Sequence, residues 1–108
     1  MLIKDLKEIA LHESMLREVE FTIASERYLG ERLIKFINRS PTATRCLRQN
    51  LRRMQREGKI AFWIPGESFT PEDKSTAYLL DRFPTEGEDP DLGAGKSDLT
   101  IVCIYVYS

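Results

Sequence analysis

A chain of 108 residues, 42% apolar and 31% charged, has the size and balance of one folded domain spanning residues 1–108, and is too apolar for a disordered segment. No apolar run reaches the roughly 18 residues of a membrane helix. The start Met1-Leu2-Ile3-Lys4-Asp5 lacks the apolar core of a secretory leader, so a cytoplasmic protein without a membrane partner is expected. The net charge of −1 hides a strong asymmetry: residues 39–59 carry seven basic side chains against Glu57 alone, whereas residues 60–108 carry nine acids against Lys74, Arg82 and Lys96.

Residues 2–15 read as a helix, with Leu2, Leu6, Ile9 and Ala10 at helical spacing. Over 17–24, Val19, Phe21 and Ile23 alternate with Glu18, Glu20 and Thr22 as in a half-buried strand. Leu16, Val19 and Ile23 equally fit a helix continuing from residue 2, and both readings stand. Ser25 can cap a second helix whose apolar face, Leu29, Leu33, Phe36 and Ile37, runs through Asn38. Ser40-Pro41 is a restart signal: a capping hydroxyl, then proline at the first helical position. The third helix is expected over 41–57, with Gly58 as its left-handed stop.

Lys59–Ile64 reads as a strand, Pro65-Gly66 as a turn, and 75–81 as a second strand pairing antiparallel with 59–64. Residues 84–98, with Pro84, Gly87, Pro90, Gly93 and Gly95 among five acids, read as a flexible, solvated acidic loop. The last strand, Leu99–Tyr107, is apolar on both faces. Three helices can cover only one side of a small sheet, so a homodimer burying residues 99–107 is expected.

Cys46 and Cys103 have apolar neighbours and match no metal spacing, which predicts buried free thiols. His12, the single histidine, reads as a surface or boundary residue. Gly95-Lys96-Ser97 ends like a phosphate-binding loop, but a strand follows where that motif needs a helix. The acids of the loop miss the spacing of a calcium site. No nucleophile stands beside a base, so no enzyme, cofactor or metal is expected. Phe62 and Trp63, adjacent in a strand, must face opposite sides, one inward and one toward a partner surface.

The third helix carries the chemistry. Ala43, Cys46, Leu47, Leu51 and Met54 form an apolar face, and Arg45, Arg48, Arg52 and Arg56 lie opposite, flanked by Gln49 and Arg53. Planar guanidinium groups suit phosphate oxygens and guanine edges, and glutamine suits adenine. The competing reading is a solvated basic face paired with the protein's own acids.

The stretch 46–60, CLRQNLRRMQREGKI, resembles the end of a recognition helix entering the first wing strand of a winged helix-turn-helix domain, with Leu51, Met54, Gly58 and Ile60 in the matching places. The resemblance extends over residues 2–81 in element order; a wing acidic at Glu67, Glu72 and Asp73 and the extra residues 84–108 depart from it. It implies an α+β, winged-helix-like fold, with N-terminal helices followed by a small antiparallel sheet and an added C-terminal strand. It also implies a small transcriptional regulator of double-stranded DNA. Thr42, Thr44, Arg45, Arg48 and Gln49 would lie near bases, with Arg52, Arg53, Arg56 and Lys59 at phosphates. The alternative is a non-enzymatic protein-interaction module, homodimeric in one form.

Overall fold

The computed structural model describes residues 6–10 and 13–106 and has an α+β architecture. Among the described residues, a four-stranded sheet separates two helical layers. In chain order the elements are β1 (Leu6–Ala10), a 3-10 segment (Glu13–Glu18), α1 (Val19–Tyr28), β2 (Leu33–Ile37), α2 (Pro41–Arg56), β3 (Phe62–Pro65), α3 (Lys74–Arg82) and β4 (Leu99–Cys103). The strand order is β1-β2-β4-β3. β1 runs parallel to β2, so the chain between them must cross over, and α1 does so. β4 lies antiparallel between β2 and β3, with Phe36 opposite Thr100 and Ile64 opposite Ile101.

Sequences apolar on both faces make β2 and β4 the middle of the sheet. Ile34, Phe36 and Val102 point to one side and pack under Val19 and Ile23 of α1 and Leu47, Leu51 and Met54 of α2. Leu33, Ile101 and Cys103 point to the other and pack under Phe69, Leu79 and Phe83. Gly66 lets the turn after β3 press against the chain entering β4. A Cβ there would lie 2.6 Å from the Leu99 carbonyl oxygen and closer still to that of Lys96.

Several expectations are corrected. Residues 6–10 are a strand rather than part of a helix over 2–15, because pairing with Leu33–Ile37 outweighs a weak local helical pattern. Of the two readings of 17–24, the helical one holds from Val19. The second helix does not reach Asn38. Gly30, at φ +91°, ends it: the Gly30 N–H donates to the Arg27 carbonyl and the Glu31 N–H to the Glu26 carbonyl, the hydrogen-bond pair of a left-handed stop. Leu33–Ile37, set free, becomes β2, and Ser25 lies inside α1 rather than capping it.

Residues 75–81 are helical, not a wing strand, because Asp73 caps them by accepting from the Thr76 N–H at 3.0 Å. The strand after Gly58 is Phe62–Pro65, and its partner is β4 rather than 75–81. The last strand stops at Cys103, and Leu99–Ile104 are all buried within one chain. Within one chain, α3 and the Phe69–Phe83 cluster cover the face of β4 expected to need a second copy, and Tyr107 lies outside the described residues. Cys103 is buried as expected, but Cys46 is exposed, at the edge of the apolar face of α2 rather than within it. His12 lies outside the described residues.

Candidate nucleic-acid interface

α2 is the longest described helix, and its ends are fixed by local chemistry. Ser40 Oγ accepts from the Ala43 N–H at 3.2 Å and Pro41 opens the first turn. At the far end Gly58 has φ +77°, with its N–H bonded to the Gln55 carbonyl and the Lys59 N–H to the Met54 carbonyl. Burial of Ala43, Leu47, Leu51 and Met54 then fixes the rotation of the helix and decides which basic residues look outward.

The basic residues separate into two groups. In the first, every side chain is already engaged. The Arg48 fork donates to both Glu67 oxygens, at 2.9 and 3.0 Å, and also to Thr100 Oγ1 (3.1 Å) and the Leu99 carbonyl (2.9 Å). Its side chain is only 15% exposed. These hydrogen bonds hold the Glu67 carboxyl below its ordinary value. Arg53 pairs with Glu57 at 2.9 Å and with Glu20 at 3.4 Å, and Lys59 closes on Glu20. The Lys59 ammonium holds the Glu20 carboxyl down, and Glu20 in turn raises Lys59. Thr44 is buried, donating to the Asn38 carbonyl at 3.1 Å, so it shapes the start of α2.

The second group is open. Arg45, Gln49, Arg52 and Arg56 are exposed at i, i+4, i+7 and i+11, one line along the outer side of α2. At 1.5 Å rise per residue the line is about 16 Å long. Arg45 and Arg56 have no ion-pair partner among the described residues. Arg52 lies over the half-buried Trp63 ring, 5.7 Å from its centroid, which braces the guanidinium without neutralising it. Thr42 and Arg39 extend the exposed surface past the helix start. Of the nine residues read from the sequence as DNA-binding, Thr42, Arg45, Gln49, Arg52 and Arg56 share this surface, while Thr44, Arg48, Arg53 and Lys59 are turned to the protein's own fold.

The acidic loop is not a solvated one. Lys35, in the middle of β2, is buried and donates to Asp89 at 3.0 Å and to Asp91 at 2.7 Å. Lys96 meets the other Asp91 oxygen at 2.6 Å. Burial alone would raise Asp91, but Lys35 and Lys96 together hold it below its ordinary value. Burial alone would lower Lys35, but Asp91 and Asp89 raise it. The sequence pattern does not announce this cluster. Its one signal is Lys35 inside the apolar run Leu33–Ile37, a charge that burial obliges to find partners. Among the described residues no group of His, Cys, Asp and Glu could hold a metal ion, and no helix is long and apolar enough to cross a membrane.

No family model, curated protein or solved structure matches the chain.

Proposed function

We propose that the protein is a non-catalytic regulator that binds double-stranded DNA through the outer side of α2. The carrying observation is the line Arg45, Arg52 and Arg56, left exposed in a protein whose other basic residues on this helix are neutralised at home. Three guanidinium groups spaced over about 16 Å can meet phosphates along a groove edge, while Gln49 and Thr42 have the polar reach for base edges. With residues 74–82 helical, no wing hairpin contributes, so α2 alone is the contact.

Fluorescence anisotropy against a random duplex tests this. Three phosphate contacts give log K falling against log salt with a slope of about −3. Arg45→Ala and Arg56→Ala should each lower that slope by about one. Absence of binding at low salt would overturn the proposal. A second reading, a protein-interaction module, is supported by the apolar side chains exposed on α1.

A further inference from the structure

α1 and the far end of α2 leave a cavity of about 340 Å³ between them. Glu20, Ile23, Ala24 and Arg27, at i, i+3, i+4 and i+7, form its wall on α1, and Met54, Gly58 and Lys59 face them. The floor is apolar: Ile23 and Met54 belong to the core under the sheet face, and Ala24 and Gly58 bring no polar side-chain atom. A Cβ at Gly58 would meet nothing within 4 Å, so the wall is open there. The volume falls at the small end of the roughly 300–1,000 Å³ of small-molecule sites.

The charges of the lining select the occupant. Glu20 and Lys59 cancel each other: Lys59 closes on one Glu20 oxygen, and Arg53 donates to the other. Arg27 is different. It is exposed and has no ion pair among the described residues. Its Nη1 donates to the Lys59 carbonyl at 3.4 Å, and the guanidinium lies 5.6 Å from the centroid of the Tyr105 ring. These contacts hold the group in place without neutralising it, and leave most of its five N–H donors for an oxyanion. The carbonyls that end the two helices are already bonded, those of Ser25, Glu26 and Arg27 by Leu29, Glu31 and Gly30, and that of Met54 by Lys59. They present no free acceptors to repel an anion. One unmatched positive charge beside an apolar floor complements a molecule with an apolar body and one negative charge.

We infer that this cavity binds a small monoanionic amphiphile, an aromatic or aliphatic carboxylate, with its body over Ile23 and Met54 and its carboxylate on Arg27. The site does not depend on DNA binding by α2. A ligand this small binds with Kd on the order of 0.1–1 mM.

Amide chemical shifts followed by NMR, with three probes sharing one apolar body, test this: 4-phenylbutyrate, 4-phenylbutan-1-ol and 4-phenylbutylamine. The carboxylate should shift the amides of Ile23, Ala24, Gly58 and Lys59 and bind at least about threefold tighter than the alcohol, with the amine weakest. The preference should shrink as salt is added. Arg27→Met should bring the carboxylate down to the affinity of the alcohol. Ala24→Leu, at an exposed position and checked for unchanged thermal unfolding, should fill the cavity and abolish binding of both. No shifts at about 10 mM 4-phenylbutyrate would overturn the inference. So would equal affinities for carboxylate and alcohol, or tighter binding of the amine, which would give the site to a cation through Glu20. Binding unchanged in Ala24→Leu would overturn it too, because the probe would then sit elsewhere.

Discussion

Lys35 Nζ lies 3.0 Å from Asp89 Oδ2, with the two side chains 5% and 0% exposed, so the centre of β2 is tied to a loop more than fifty residues later. Removing one member strands the other. Lys35→Ala should destabilise the protein by about 3–5 kcal/mol. Lys35→Met with Asp89→Asn should recover much of that loss. The amide oxygen introduced by Asp89→Asn can still accept the Asp91 N–H now bonded to Asp89 Oδ1, and Asp91 keeps Lys96. Urea unfolding of the two singles and the double mutant gives the coupling.

Stability should form a plateau against pH. Asp91 and Glu67 titrate lower in the fold than their ordinary values, so their contribution is complete above the unfolded values of about 4 and is lost as pH falls through the depressed folded ones. On the alkaline side, burial pushes the Cys103 thiol up to about 12. Its contribution is complete below the unfolded thiol value of about 8.5 and is lost as pH rises from there toward 12. Lys35, also raised, loses its contribution above about 10.4. Thermal unfolding across the range should show both limbs, the acid limb shallower in Asp91→Asn and the alkaline limb shallower in Cys103→Ala.

The two thiols should differ in reactivity. Cys46 is exposed and Cys103 is buried with its thiolate disfavoured. Ellman's reagent should titrate one thiol in the native protein and two in denaturant. Cys46→Ser should abolish the native reaction.

Arg48 and Arg45 are three residues apart and should behave as opposites. Arg48→Ala leaves Glu67 without its fork and the Leu99 carbonyl without its donor, and should cost about 2–3 kcal/mol in urea unfolding. Arg45→Ala should leave stability within about 0.5 kcal/mol.

Glycine positions separate two kinds of constraint. Gly58→Ala strains a left-handed residue that has open space around it, and should cost about 1 kcal/mol. Gly66→Ala drives a methyl group into the backbone before β4 and should cost several times more. Chemical denaturation of both variants checks the order.

What can be read from the sequence is what local chemistry decides. Ser40-Pro41 and Gly58 mark α2 because capping and left-handed geometry act within a few residues. Gly30 carries the same kind of information, but the helical spacing of Leu29, Leu33, Phe36 and Ile37 points past it. That spacing also fits a strand buried on both faces, as Leu33–Ile37 turns out to be. Thr76–Leu80 is ambiguous in the same way, and Asp73 is the cap that decides it. The arginines of α2 are legible as a group, but their division is not. Whether Arg48 faces solvent depends on Glu67, Ser97 and Leu99, which only the tertiary fold brings near.

The insertion of β4 between β2 and β3 sets the timing of folding during synthesis. β2 and β3 both precede it in the chain, yet β3 joins the β1–β2 pair only through a strand that begins at Leu99. Until that segment leaves the ribosome, the apolar undersides of α1 and α2 have half a sheet to rest on. The nascent chain therefore carries an exposed core until β4 emerges, and closure comes as one long-range event.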